Sequence, residues 1–170
     1  YKVRVELSGF KSYERAGFTL SAGQNVVVNA SLETGVLTET VTVTGEAPIA
    51  SPGKTDTGRT ISEGEVKNLP LVSRNPYNFA FLQPNVTGYE NNEFGAARIN
   101  GNGSQMHVNY QLDGNTNTEK DRAGLRLLPV SEIVVKEVKV VTSGFAPEFG
   151  QTTGMVYNAI TPSGANAVAG

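Results

Sequence analysis

His107 is the only histidine in the sequence, and it is the first residue to test for catalytic chemistry. A Ser, a His and an Asp can act together as nucleophile, base and orienting group, and Ser104 and Asp113 lie near His107 in the chain. Any chain with Ser and Asp offers such a set on paper, and no nucleophile-elbow motif accompanies this one. His107 also lies in an alternating stretch, opposite the face of Val108 and Tyr110, where a structural histidine is expected. We therefore predict that the protein is not an enzyme.

The segment Asp113–Glu119 has oxygen-bearing side chains at alternate positions, as the start of a calcium loop does. Such a loop also needs Gly at its sixth position and Glu at its twelfth, where this sequence has Thr118 and Gly124. Asp113-Gly114 therefore predicts a turn instead. Gly101-Asn102-Gly103 lacks the third glycine and the following helix of a phosphate-binding loop. We expect no metal ion and no cofactor.

Two charged residues, Arg74 and Glu148, have surroundings that distinguish them from the other charges. Arg74 comes just before a predicted helix start, and Glu148 has the apolar neighbours Phe145 and Phe149 on its two sides. A charge flanked in this way is often partly buried and paired. Each is therefore either a solvated surface charge or a structural charge that meets an opposite charge on this domain or on an enclosing protein.

Composition excludes several classes of protein. The 170 residues carry 14 basic and 16 acidic side chains, a net charge of −2, so the basic stripe of a nucleic-acid-binding protein is missing. No cysteine is present, which excludes disulfides, thiol nucleophiles and cysteine-ligated zinc. No stretch approaches the roughly 20 apolar residues of a membrane helix.

The elements that would position these residues begin with a β-rich block, residues 1–35. Tyr1–Leu7 alternates apolar and charged side chains, Phe18–Leu20 restarts a strand, and Gln24–Leu32 places Val26, Val28, Ala30 and Leu32 on one face. These patterns predict part of an antiparallel β-sandwich. Thirty-five residues are too few to bury a stable core alone, so we expect either that earlier strands are missing from this sequence or that this block packs on something else.

Residues 36–45 alternate Thr and Val with few large apolar side chains, which suits an edge strand or pairing with another protein's edge. Residues 46–58 contain two prolines and two glycines among small polar residues and predict a linker.

Residues 59–170 form the predicted main domain. Ser62 and Glu65 have capping-box spacing, and Asn75-Pro76 marks a second helix start. Ser131 is a further candidate cap. The predicted strands are 98–100, 106–112, 135–142 and 154–161. The fold class that follows is α+β, a small mixed β-sheet with short helices and long loops, preceded by a partial antiparallel β-sandwich.

Several motifs, taken in order, resemble the plug domain of TonB-dependent outer-membrane receptors, in particular the Oar-like subgroup. They are Leu69–Asn75, Leu82–Val86, Ile99–Gly101, Leu112–Gly114, Glu137–Val140, Phe145–Gln151 and Gly154–Gly164. The opening block is similar to the last strands of the carboxypeptidase regulatory-like sandwich that precedes the plug in that subgroup.

The resemblance implies a plug that gates energy-coupled uptake of an unknown extracellular ligand at the cell outer membrane. It implies that residues 36–45 contain a TonB box, Glu39, Thr40, Val41, Thr42 and Val43, which a TonB-type energy-transducing protein grips from the periplasm. It also implies that the protein's own C-terminal β-barrel, which encloses the plug, is absent from this sequence. The alternative is a secreted or surface β-sandwich module that binds carbohydrate or protein, and a strand role for residues 39–43 stays open.

Overall fold

The computed structural model describes residues 1–18, 20, 26–35, 56–71, 75–89, 98–105, 107–119, 125–150 and 152–164, and the backbone of residues 40–43. The chain divides into two compact units, Tyr1–Lys54 and Thr55–Gly170. The division falls inside the predicted linker.

The first unit has a three-stranded sheet in the order β1-β2-β3. The strands are β1 (Lys2–Val5), β2 (Ser12–Ala16) and β3 (Thr40–Val43). β1 and β2 are antiparallel, whereas β2 and β3 are parallel. Alternation in β1 sends Lys2 outward, where its Nζ lies 2.7 Å from the Glu14 carboxylate.

The first unit differs from the sequence prediction in which residues form its strands. The unpredicted strand β2 takes the place of Phe18–Leu20, whose described residues, Phe18 and Leu20, lie outside any strand. Residues 26–32 have the predicted alternation, with Val26 and Val28 half-buried and Val27 exposed, but they form no strand. Alternation of apolar and polar side chains indicates which side of a segment faces the interior, whereas a β-strand also needs a neighbouring strand to form hydrogen bonds with.

The second unit contains a five-stranded mixed sheet in the order β4-β9-β10-β7-β8 and a separate hairpin, β5-β6. Only the β10–β7 pair is parallel in the five-stranded sheet. The strands are β4 (Thr57–Ile61), β5 (Val86–Tyr89), β6 (Arg98–Gly101), β7 (Val108–Leu112), β8 (Asn115–Thr116), β9 (Glu137–Ser143) and β10 (Met155–Ile160).

Four short helices accompany this sheet in the described part of the second unit. They are α1 (Glu63–Asn68) and the 3₁₀ helices Pro76–Leu82, Glu132–Val134 and Pro147–Phe149. The predicted capping box is present, since the Ser62 backbone N–H donates to the Glu65 carboxylate at 2.9 Å. Asn75 caps the second helix by accepting from the Tyr77 N–H at 3.2 Å, but this helix is 3₁₀ rather than α. None of these helices has the length and hydropathy needed to cross a membrane.

The core lies on one face of the five-stranded sheet, under α1 and the 3₁₀ helix Pro76–Leu82. Val138 and Val140 point to it from β9, as predicted, and Tyr157 and Ala159 point to it from β10. Val66 and Phe79 cover them from the helices. The α+β class with a mixed sheet, short helices and long loops is confirmed.

Several strand boundaries differ from the prediction by one or two residues. β4 begins at Thr57, so the last two residues of the predicted linker belong to the sheet. The strands pack so closely at Gly58 that a Cβ would lie 2.6 Å from the Val140 carbonyl oxygen, so this position requires glycine. β7 begins at Val108 rather than at residue 106, and His107 lies in a turn where its carbonyl accepts from the Gly154 N–H at 3.0 Å.

Candidate functional site

The predicted coupling segment is an edge strand. Thr40–Val43 forms β3, which pairs in parallel with β2 from Ser12 opposite Thr40 to Arg15 opposite Val43. Within the described part of the first unit, β3 has a neighbouring strand on one side only. Glu39 lies outside the described residues. An edge strand presents backbone N–H and C=O groups that a further strand can pair with.

Of the two predicted structural charges, the structure describes one. Glu148 is exposed in the first turn of the 3₁₀ helix Pro147–Phe149. The next residue is fixed to the sheet, because the Asn109 side-chain amide donates to the Phe149 carbonyl at 2.5 Å. Arg74 lies outside the described residues, so an Arg74–Glu148 pair stays a prediction.

Asp113 has a structural role, and it lies at the opposite end of β7 from His107. Its carboxylate accepts from the Thr161 N–H at 2.8 Å and from the Thr161 hydroxyl at 2.9 Å, which fixes the end of β10. Asp113 and Gly114 have φ values of 51° and 79°, so the predicted turn is confirmed. His107 is exposed. Among the described residues no group of three His, Cys, Asp or Glu side chains could hold a metal ion.

The centre of the second unit is a cluster of three tyrosines, which the sequence analysis did not identify. The ring centroids of Tyr77 and Tyr157 are 4.9 Å apart, and Tyr110 stands edge-on to Tyr77 at 5.4 Å. The Arg126 guanidinium carbon lies 4.4 Å from the Tyr77 ring centroid, a cation–π contact. Burial raises the pKa of all three tyrosines and lowers the pKa of Arg126, because each charged form is poorly solvated there.

Asn117 connects the cluster to the segment that follows β8. Its side chain is buried, and its amide donates to the Tyr77 hydroxyl at 3.2 Å and to the Leu128 carbonyl at 2.9 Å. Its side-chain oxygen accepts from the Leu128 N–H at 2.9 Å. The Leu127 N–H donates to the Asn117 carbonyl, and Thr118 and Arg126 form an isolated bridge. The two ends of the 117–127 segment are therefore closed on each other and held to the core.

The segment Leu127–Val134 exposes an unusual amount of aliphatic surface. Leu127, Leu128, Ile133 and Val134 are 62%, 56%, 88% and 46% exposed. Large apolar side chains exposed within one short segment make it a candidate for contact with another element or protein.

Comparisons with known proteins found similarity to transporters and receptors of the outer membrane. No family model matches the chain. The TonB-dependent transporter Oar of Myxococcus xanthus is 32% identical over 174 positions, which cover 98% of this chain and 16% of that protein. The fold is similar to that of the outer membrane transporter YddB from Escherichia coli, with a TM-score of 0.53 and 16% identity over 62% of this chain and 17% of that one. It is also similar to the ferric enterobactin receptor PfeA, with a TM-score of 0.50 and 19% identity over 68% of this chain and 18% of that one.

The chain spans about one sixth of the length of these proteins, which are outer-membrane transporters and receptors rather than enzymes. The sequence match extends over both units, and the α+β fold of the second unit agrees with it. The chain therefore corresponds in sequence to part of a TonB-dependent transporter, and in fold to part of outer-membrane transporters and receptors.

Proposed function

We propose that this chain is the gate of an energy-coupled uptake system in the outer membrane. In this proposal the second unit is enclosed by the protein's own C-terminal β-barrel and blocks the path of an extracellular ligand whose identity is unknown. The role is mechanical and electrostatic, without an enzymatic step. The observation that carries the proposal is the similarity to a TonB-dependent transporter across 98% of the chain.

The coupling segment in this proposal is Glu39–Val43, gripped by a TonB-type protein from the periplasm. Support comes from the extended backbone of β3 and its place at the edge of its sheet. β2 pairs with one side of β3, so a partner strand would use the other side, and binding would not require β3 to leave β2. Strand addition uses main-chain hydrogen bonds, so the side chains of the coupling segment need only permit an extended backbone, as alternating Thr and Val do.

The enclosing partner in this proposal covers the Leu127–Val134 segment. A polar lumen suits the Asn-rich and Gly-rich surface of the second unit. The exposed aliphatic side chains, above all Ile133 at 88%, would then find contacts on the barrel wall that this chain alone does not provide.

The coupling proposal is tested by binding of the 170-residue chain to the periplasmic domain of a TonB-type protein, measured by calorimetry. Val41→Pro removes a backbone donor from β3 and resists ladder pairing, so we expect at least a tenfold loss of affinity, about 1.4 kcal/mol. Val41→Thr keeps the β-branched side chain and the donor, and it should bind as the unchanged chain does.

Circular dichroism on both variants checks that the second unit keeps its fold. If Val41→Pro binds with unchanged affinity, residues 39–43 are not the coupling segment. If neither the variants nor the unchanged chain binds, the coupling role of the first unit is wrong.

A further inference from the structure

The face of the five-stranded sheet opposite the core carries a second buried apolar strip. Side chains alternate along β9 and β10, so Val141 and Val156 point away from the core that Val140 and Tyr157 face. Val141 and Val156 are nevertheless only 1% and 2% exposed. They are neighbours across the β9–β10 pair, and Asn109 adjoins Val156 on β7. Another part of the chain must therefore cover this strip, which consists of Val141, Val156 and Asn109.

The connection between β9 and β10 lies over the strip. Asn109 alternates with the core residue Tyr110, so its side chain is on the face of the strip, and its amide donates to the Phe149 carbonyl at 2.5 Å. Phe145 and Phe149 are half-buried, whereas residues 146–148 between them are exposed. The connection therefore has an apolar side for the two valines and a polar side for its surroundings.

A glycine stands at each end of this cover, residues 144–150, which we call the flap. Gly144 and Gly150 have φ values of 68° and 32°, in the left-handed region that other residues rarely adopt. Between them, two backbone hydrogen bonds of 3.1 Å close the 3₁₀ turn on itself. Hinges are typically a few loop residues or residues at the ends of elements that absorb a change in φ and ψ. The flap can therefore turn as one piece about its two glycines.

The base of the flap is anchored, whereas the flap itself is held lightly. The Asn102 side-chain amide donates to the Thr142 carbonyl and, at 3.0 Å, to the Gly154 carbonyl, which ties the end of β9 to the start of β10. Among the described residues, one hydrogen bond joins the flap to the sheet, and it is the bond from Asn109 to Phe149. Asn109 therefore acts as the latch of the flap.

We propose that the flap opens away from the strip while the five-stranded sheet stays folded, and that Asn109 sets how often it opens. Opening breaks one hydrogen bond and separates two half-buried rings from two valines, so it costs far less free energy than unfolding the core. The role of this device in transport rests on the proposed function, since an open flap would uncover Val141 and Val156 to a ligand that passes along the sheet.

Thiol labelling of the 170-residue chain tests the proposal, because the chain has no cysteine of its own. Val156→Cys places a thiol under the flap, and Ala159→Cys places one on the same strand in the core, where the side chain is fully buried. A buried thiol reacts with a maleimide only when its cover opens, so Val156→Cys should react at least about tenfold faster than Ala159→Cys. Melting curves check that both variants fold, and Val141→Cys is a second reporter under the flap if Val156→Cys does not.

The latch is tested by a second substitution in both cysteine variants. Asn109→Asp removes the amide donor and sets a carboxylate against the Phe149 carbonyl. It should raise the labelling rate of Val156→Cys at least about fivefold more than that of Ala159→Cys. The matched control is Asn158→Asp, on the same face of β10, where the side-chain oxygen keeps its backbone donor. This control should leave the labelling rate of Val156→Cys unchanged.

Three results would overturn the proposal. Equal rates for Val156→Cys and Ala159→Cys would mean that the flap opens only when the unit unfolds. Labelling of Val156→Cys as fast as that of an unfolded chain would mean that nothing covers the strip. Equal effects of Asn109→Asp and Asn158→Asp would mean that Asn109 is not the latch. Failure of the binding test on Val41 would leave all these rates unchanged, so this proposal and the proposed coupling fail separately.

Discussion

Replacing Tyr157 by Phe removes one hydroxyl from the centre of the second unit and leaves the ring in place. The Tyr157 ring is fully buried, and its hydroxyl donates to the Pro76 carbonyl at 2.5 Å. Pro76 is itself buried at the start of a 3₁₀ helix, so its carbonyl keeps the i→i+3 backbone donor of that helix, but water cannot replace the lost hydroxyl. Loss of one such bond costs about 0.5–1.5 kcal/mol of stability. For a unit of this size that corresponds to a fall of about 2–6 °C in melting temperature.

The matched comparison is Tyr77→Phe, in the same cluster. The Tyr77 hydroxyl donates to the Leu128 carbonyl at 3.2 Å and accepts from the buried Asn117 amide at 3.2 Å. The Leu128 carbonyl keeps Asn117 as a donor, but one Asn117 N–H would be left without an acceptor, so we expect the larger loss, about 1–3 kcal/mol. Thermal unfolding followed by near-ultraviolet circular dichroism measures both variants. No loss for Tyr157→Phe, or a smaller loss for Tyr77→Phe than for Tyr157→Phe, would refute this account of the two hydroxyls.

The same cluster predicts how stability depends on alkaline pH. Burial raises the pKa of Tyr77, Tyr110 and Tyr157 above the value of about 10 that a tyrosine has in an unfolded chain. Their stabilising contribution is therefore complete below about pH 10 and is lost as the pH rises above it, by up to about 1.4 kcal/mol per pH unit for each tyrosine. Urea unfolding between pH 8 and 11 should show this fall, and Tyr157→Phe should make it less steep.

Three further predictions concern other parts of the chain. Trypsin should cut first after Lys54, in the predicted linker, and spare Arg59 in β4, whereas a first cut within β9 would contradict the two-unit division. Glu148→Gln should change the stability of the isolated chain by less than about 1 kcal/mol, because the side chain is exposed. In the complete receptor, the same substitution should raise the passive leak of an antibiotic. A large loss of stability with unchanged leak would argue against a gating role. Gly101→Ala should destabilise by about 1–3 kcal/mol, because its Cβ would lie 2.7 Å from a side chain and 2.9 Å from the backbone beside β10, whereas Gly64→Ala, in open space on α1, should not destabilise.

Signals that act within four residues were sufficient to predict much of the second unit. The Ser62 and Glu65 capping box, the Asn75-Pro76 helix start and the Asp113-Gly114 turn each depend on atoms close in the chain. The other features of the fold depend on contacts between residues that are distant in the sequence. β2 needs β1 and β3 beside it, and the packing of Arg126 on Tyr77 joins residues 49 positions apart, which no local pattern reveals.

The asparagines show most clearly why the sequence alone was misleading. Their abundance predicts loops, yet several of them bind backbone that is distant in sequence. Asn102 donates to the Gly154 carbonyl at 3.0 Å, and Asn158 accepts from the Gly114 N–H at 3.1 Å. With Asn109 and Asn117, they hold loops to the sheet where the chain has few large apolar side chains to do so. Each such bond contributes only about 0.5–1.5 kcal/mol, and water can replace it once the loop lifts. A domain held in this way is ordered at rest and can be opened in parts, because separating a loop exposes polar groups and little apolar surface. This combination suits the proposed gate, which has to seal the path and yet open.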